Sequence, residues 1–571
     1  NGDASIVANR FQYRYSALPG GASPMQVLEV SKFDLYAQDD VQMNSKFKFS
    51  YGVRAGLVSF VNTALENPVI SASPFRDEND NIYKVNTGVM PSAKLLWEPR
   101  VGFNYDVKGD QTVQLRGGAG IFTGRPPYVY ISNQIGNNGI LTGFIDQANT
   151  KAYPFTADPT VYRPATPTLP STFDIASTDP DYRFPQVAKI NFALDQKIAN
   201  TGLVASVDVL YNKFLNAQYY FDANLEYATA VFSGPDTRSR FPGSGLTGSN
   251  LNSAIRVNDN VSRAAILKST NKGQNYSITT KLEKPWSKGF YGMVAYTYSN
   301  TKDLMAASSI ASGSWTAASA IEGNNNLTLA YSDNDLPHRV VGALSYKLNY
   351  GKKLPMSTTL SLGYIGGTGT SRYSYTVGGD LNGDGVAGNE LFFVPNSATD
   401  FSFVASTTVS GVTYTAAQQA AALDEYINQD KYLSKMRGRY TERNGGILPW
   451  LNQFDMSIIQ EFHVKAFGKV NTLQLRADIQ NVGNLINSNW GIGQTTNNFS
   501  TTGSRVSPIT YVSVSAAGVP TYRINTQTVK KVNSDGVTTT STTELLKNTY
   551  QYRSSQTDVW NGQLMIRYLF N

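Results

Sequence analysis

The 571-residue sequence contains no cysteine, which removes disulfides, thiol nucleophiles and thiolate-bound zinc. It has only two histidines, His338 and His463, so imidazole-based metal or acid–base chemistry is poorly supplied. His338 sits in LPHRV beside Arg339 with no second histidine near it, and a hydrogen-bonding role is expected there. No nucleophile–base constellation can be assembled, so the chain does not read as an enzyme. The 49 basic and 42 acidic residues are scattered, giving +7, with no Lys/Arg block of the kind that binds nucleic acid. Nucleic acid is not an expected partner. Charged residues make up 16%, against about 25% in ordinary soluble domains. Long apolar runs are missing as well: mean hydropathy is −0.28, and no window approaches the roughly 18–20 apolar residues of a membrane-spanning helix.

What the sequence holds in quantity is aromatic side chains, 34 Tyr and 27 Phe, laid out in period two. In 471–480, Leu473, Leu475, Ala477 and Ile479 share one face, and Thr472, Gln474, Arg476, Asp478 and Gln480 the other. In 46–58, Phe47, Phe49, Tyr51, Val53, Ala55 and Leu57 oppose Lys46, Lys48, Ser50, Gly52 and Arg54. A soluble sandwich also alternates. Here, however, the outward residues are large and continue for about ten positions, the length with which a tilted strand crosses a bilayer. If the chain meets lipid it does so as strands, with one face apolar and the other wet, which keeps mean hydropathy low.

Thirteen such strands are predicted, at 31–43, 46–60, 99–107, 111–122, 187–197, 202–213, 275–283, 289–301, 338–349, 356–366, 453–464, 471–481 and 558–570. Their connections alternate between tight turns and long polar insertions at 61–98, 123–186, 214–274, 302–337, 367–452 and 482–557. That asymmetry is the one between periplasmic turns and extracellular loops of an outer-membrane barrel. The fold class expected is therefore all-β, a transmembrane antiparallel β-barrel with long extracellular loops. The last strand would then end at the periplasm with Tyr568, Leu569 and Phe570 in the aromatic girdle, followed by Asn571. The first and last strands run the same way, and an odd number of strands cannot close an up-and-down barrel. Either strands lie upstream of this sequence or the count is off by one. The opening NGDASIVANRF has no signal-peptide features, so an exported protein with this start is expected to have lost its beginning.

Particular stretches carry more than periodicity. WEPRVGFNYDVKGDQTVQLRGGAGIFTGRPP, from 97, reads as a hairpin with a Gly-Asp turn, its Gly117-Gly118 pair suited to close backbone approach. Others are YAQDD at 36–40, NDLPHRVVGALSY at 334–346, DLNGDGVAGNELFFVP at 380–395, YLSKMRGRYTERNG at 432–445, PWLNQFDMSI at 449–458 and DIQNVGNLINSNWG at 478–491. In order and over nearly the whole chain, these are similar to the Oar-like TonB-dependent receptors of Bacteroidota, the type with a carboxypeptidase-regulatory-like leading domain. The resemblance implies a barrel of about 22 strands around an N-terminal plug. Residues 1–571 would be its C-terminal part, strands ten to twenty-two, with the plug and TonB-interacting segment absent from this chain. It further implies a bacterial outer-membrane location, contact with lipid, and substrate uptake energised by the TonB system through the missing part. The competing expectation is a transporter-like barrel serving as a structural or scaffold subunit, its long loops docking a surface lipoprotein or other outer-membrane subunits. An intact plug upstream would favour transport.

One segment has metal-like spacing. In 380–391, Asp380, Asn382 and Asp384 stand at positions 1, 3 and 5 of a calcium loop, Gly385 at 6 and the Val386 carbonyl at 7. Position 12 is Leu391, so Glu390 would close the site from one place early, with Asn389 assisting. A metal-free Asn-Gly/Asp-Gly turn is the alternative to Ca2+. Residues 415–434 read as a helix opened by a Thr415/Gln418 capping box, either part of a substrate lid, a partner-binding surface or a packed cap over the barrel mouth. Arg125 is a candidate for anionic ligands or for anchoring a loop carboxylate. Lys46, Lys48, Arg54, Arg116 and Arg476 point to the lumen, where they would meet a plug or substrate.

Overall fold

The computed structural model describes residues 8–125, 127–166, 173–242, 255–352, 355–369, 372–466, 468–497, 499–500, 504–532, 539–553 and 555–570. Its largest sheet has fourteen strands, thirteen of them on one continuous path. These are β1 (Val30–Gln42), β2 (Phe47–Phe60), β3 (Lys94–Asp106), β4 (Val113–Thr123), β5 (Gln186–Ile198), β6 (Leu203–Phe214), β7 (Gln274–Ser287), β8 (Phe290–Asp303), β9 (His338–Tyr350), β10 (Met356–Thr368), β11 (Trp450–Ala466), β12 (Lys469–Gln480) and β13 (Asn561–Leu569). The fourteenth, Ala330–Tyr331, pairs beside β8. Each strand on the path is hydrogen-bonded to its sequence neighbours on the path, antiparallel throughout. All thirteen expected spans fall on these strands; the largest differences are at β3, which begins five residues earlier, at Lys94 rather than 99, and at β7, which ends four later, at Ser287 rather than 283.

Register carries the apolar face unbroken across strands. Phe290 pairs with Tyr346, Tyr346 with Leu360, Leu360 with Ile458, Ile458 with Ala477 and Ala477 with Leu564. This face is open among the described residues, with Leu35 79% and Leu564 86% exposed. A contiguous apolar band of this extent has to meet a non-aqueous phase. At Gly117 an added Cβ would lie 2.9 Å from the Asn191 carbonyl oxygen and 2.8 Å from the Phe103 ring, so β3, β4 and β5 approach there only because that residue has no side chain.

Short connections, 43–46, 107–112, 199–202, 288–289, 351–355 and 467–468, lie at one end of the sheet. Long ones, 61–93, 124–185, 215–273, 304–337, 369–449 and 481–560, gather at the other. Because the path has thirteen antiparallel strands, β1 and β13 run the same way, and among the described residues each has one partner on the path. Tyr568 and Phe570 stack at the short-turn end, 6.2 Å apart; Asn571 lies outside the described residues.

The long connections are folded bodies, which their polar composition conceals. Apart from Val58, Leu96 and Ala193, the buried apolar residues lie outside β1–β13, and they form three clusters in a cap. One cluster joins Tyr375, Val377 and Phe392 to Leu423, Val506, Tyr522 and Leu546, and so knits 369–449 to 481–560. A second six-stranded sheet runs through it, in which Arg372–Gly378 pairs parallel with Arg505–Val514. The expected helix spans Ala416–Gln429, with both capping-box hydrogen bonds present. It stops short of 434 because the Asp430 carboxylate accepts from the Tyr432 and Leu433 amides, at 2.9 and 2.8 Å, and so turns the chain. Leu423, Tyr426 and Ile427 are buried beneath this helix.

Candidate functional site

The wet face of the wall carries the charges that the sequence placed there, paired within the wall. Arg54 meets Asp34 at 2.9 Å and Glu98 at 3.8 Å; Arg116 meets Asp195 at 3.0 Å and Asp208 at 3.7 Å. Arg476 holds Asp478 at 2.8 Å, and Lys48 reaches Asp40 at 3.3 Å. Lys46 donates to the Lys108 carbonyl at 3.0 Å. Each of these arginines thus has a carboxylate beside it in the wall, from a neighbouring strand for Arg54 and Arg116 and from its own strand for Arg476. Glu461 is held by Lys347 (3.0 Å), Ser357 (2.7 Å) and Gln474 (3.0 Å) from three neighbouring strands. A polar groove of about 370 Å³ on this face is lined by Ser361, Asp455, Arg476, Asp478 and Gln563. Arg125 is exposed, and no ion pair reaches it among the described residues; Pro126 beside it lies outside them. A larger cavity, about 700 Å³, is lined by Tyr364, Trp450, Phe454, Trp490 and Tyr552. Tyr364 and Phe454 share the apolar face with Leu362, so this cavity belongs to the aromatic girdle at the cap end.

Two arginine clamps hold the cap, Arg372 between two of its connections and Arg443 to the wall, and Asp335 and Arg443 belong to motifs quoted above. Arg372 donates to Asp335 at 2.7 Å and to the Asn444 carbonyl at 3.1 Å, with its guanidinium 3.8 Å from the Tyr331 ring centroid. Arg443 reaches Asp303 at 2.7 Å. His338 Nδ1 is 2.8 Å from the Tyr296 hydroxyl, a hydrogen-bonding role at a strand entrance. Sequence reasoning passed over Arg372, Asp335 and Arg443; the only signal was the place of Asp335 and Arg443 in those motifs.

The 380–390 segment is the one cluster of metal-ligating type among the described residues. Glycines at 379, 383, 385 and 388, all with positive φ, wind the backbone tightly. The wound backbone then feeds its own side chains. Asp380 accepts from the Gly383 and Gly385 amides (2.9 and 3.0 Å), Asn382 from Asp384 (3.0 Å), and Asp384 from Val386 (2.9 Å). Glu390 Oε1 accepts from the Leu381 and Asn382 amides at 3.0 and 3.2 Å. Carboxylate oxygens of Asp380, Asp384 and Glu390 all lie within 4.8 Å of one another, and the three residues are at most 1% exposed. Burial, reinforced by Asp384, pushes the Asp380 carboxyl up to about 8. Burial raises Asp384, and burial with both aspartates holds Glu390 well above the usual range. Asn389 donates to Asp384 at 2.9 Å and to Asn324 at 3.2 Å; Val386 is buried in the second cap cluster. The sequence-predicted residues Asp380, Asn382, Asp384, Val386, Asn389 and Glu390 are therefore together in one buried turn. An all-oxygen donor set of this kind suits a hard divalent cation.

Among solved structures, the chain is similar to the outer membrane transporter YddB from Escherichia coli, at 10% identity and a TM-score of 0.34, covering 95% of this chain and 55% of that one. It is also similar to the ferric enterobactin receptor PfeA from Pseudomonas aeruginosa, at 8% identity and TM-score 0.32, with 80% and 48% covered. The siderophore receptor PirA from Acinetobacter baumannii gives 8% identity and TM-score 0.32, with 80% and 51% covered. The chain thus spans about half the length of these relatives. No curated protein matches it. The outer membrane beta barrel domain profile matches residues 16–524, across the wall and most of the cap, and this chain belongs to that family of the bacterial outer membrane.

Proposed function

We propose that this chain is the C-terminal portion of an Oar-like TonB-dependent receptor that takes a substrate up across the outer membrane. On this reading, strands and a plug encoded outside the sequence complete the wall to about 22 strands. The cap captures substrate, and the TonB system, acting through the plug, admits it along the charged face of the wall. The protein binds and conducts, with no covalent step.

The observation that carries the reading is that β1 and β13, each with one partner on the path among the described residues, run the same way on a wall with an exposed apolar face. Unpaired backbone amides cannot stand in hydrocarbon, and these two edges cannot satisfy each other as antiparallel neighbours. The clamp made by Arg443, from one of the Oar-like motifs, adds support, because it fixes the folded cap to the wall at Asp303. A scaffold reading draws on one fact of its own: the cap has independent hydrophobic cores and so offers a firm surface to a lipoprotein or another outer-membrane subunit.

The test uses the full-length gene product in its native host, with and without its TonB-interacting segment. Compounds co-purifying from outer membranes are identified by mass spectrometry and then supplied to cells. Transport predicts cellular accumulation of that compound, lost on deleting the segment while binding survives. Accumulation indifferent to the deletion, with a stoichiometric protein partner co-purifying instead, would establish the scaffold and end the transport reading.

A further inference from the structure

We propose that the turn 380–390 is a resident calcium site whose ion fastens three of the long connections to one another. The inference stands independently of whether the barrel transports.

Charge comes first. Asp380, Asp384 and Glu390 bring three carboxyl groups into a volume from which water is excluded, with ligand oxygens within 4.8 Å. No ion pair reaches any of the three among the described residues. Of the neighbouring arginines, Arg238 is bound to Asp236 at 2.8 Å, while Arg505, hydrogen-bonded only to Ser319 and the Thr316 and Ala318 carbonyls, feels Glu390 and Asp384 and sets one positive charge against three carboxyl groups. Arg263 faces Asp222 at 3.5 Å and lies 4.6 Å from the Trp315 ring centroid. An uncompensated buried charge is among the costliest arrangements in a protein, and a like-charged group of three multiplies that cost.

The second observation is an orphan. Glu390 is fully buried, and although Oε1 takes two backbone amides, Oε2 has no hydrogen-bond partner. The buried Asn389 Oδ1 is likewise unpartnered. A protonated Glu390 would need an acceptor for its own O–H, and Oε2 has none within reach. A cation among the three carboxylates supplies what both atoms lack. The metal-free turn leaves them buried without a partner.

Position gives the ion a task. The Phe241 amide, from the connection between β6 and β7, donates to the Asn382 carbonyl at 2.8 Å. Asn324, from that between β8 and β9, accepts from Asn389 at 3.2 Å, and the Leu391 amide donates to Ala320 at 2.9 Å. Arg238 returns from the first of these connections to the Leu391 carbonyl at 2.8 Å. Calcium, tolerant of irregular coordination by many oxygens, suits this turn better than magnesium, which demands near-ideal geometry and keeps its waters.

The experiment takes full-length protein purified from outer membranes in detergent and exchanged into chelator-treated buffer. Elemental mass spectrometry is expected to find about one calcium per chain, released by EGTA. On release, hydrogen exchange should quicken at least tenfold in 236–241, 318–326 and 376–391 together, while the β10–β11 hairpin is unchanged. The variant Glu390→Gln reads the sign. With calcium it should melt below the parent, and in EGTA it should melt at or above it, because it then only relieves repulsion. Asp380→Asn gives the same reading if Glu390→Gln does not assemble. Protein free of calcium, exchange indifferent to EGTA, or a variant stabilised in both buffers would each overturn the proposal, and magnesium in the site would overturn its assignment to calcium.

Discussion

Placing an arginine on either face of the wall at one level tests the assignment of faces directly. Leu362 is the central residue of β10, six positions from either end, paired with Leu344 on one side and Met456 on the other. It is 37% exposed, on the face that carries Leu360, Ile458 and Leu564. Ser361, its chain neighbour, points the opposite way, accepts from the Ser345 hydroxyl at 2.8 Å and lines the polar groove with Arg476. An arginine at the bilayer midplane of a barrel costs about 2–4 kcal/mol, so Leu362→Arg should lower the folding equilibrium constant by roughly 30- to 900-fold. Ser361→Arg forfeits one neutral hydrogen bond, about 1 kcal/mol, and keeps its charge in water. Urea unfolding of the full-length protein in phospholipid vesicles, followed by tryptophan fluorescence, measures both. Equal costs, or a larger cost for Ser361→Arg, would refute the division into a lipid face and a wet face.

The Arg372–Asp335 clamp between two connections of the cap should be severe to break. Arg372→Ala leaves Asp335 buried without its partner, a loss of about 3–5 kcal/mol of local stability, read as protease cleavage and rapid hydrogen exchange near 331–335 and 443–447 with the wall intact. Thr415→Ala removes one half of the capping box and should cost about 1 kcal/mol, seen as faster exchange in the first turn of Ala416–Gln429 but not across β10–β13.

The wall was legible because period two is a local property: Leu473, Leu475 and Ala477 declare their face without reference to any other segment. Turn lengths then ordered the strands. The partners of the lumen cations were hidden because they depend on register. Arg116 is 79 positions from Asp195, and only the pairing of β4 with β5 brings them together. The cap's interior was hidden for the same reason at longer range, as Ser374 lies beside Arg505 in a parallel pairing that no local pattern announces. At the carboxylate turn, the spacing of Asp380, Asn382, Asp384 and Gly385 was readable, whereas the arrival of Glu390 among them depends on the positive-φ turn at Gly388, which draws the chain back toward Gly379. The helix end was misplaced because Asp430 acts through a side-chain turn rather than through propensity.

That the apolar clusters sit in the cap means the chain solves two solvation problems in sequence. Segments as distant as 131 and 315 share one cluster, and strands standing side by side shorten the loop that must close to bring them together. Closure of the cap is therefore a late event in biogenesis. An antibody against its finished surface, applied to intact cells, would count completed barrels and ignore every unfinished one beneath.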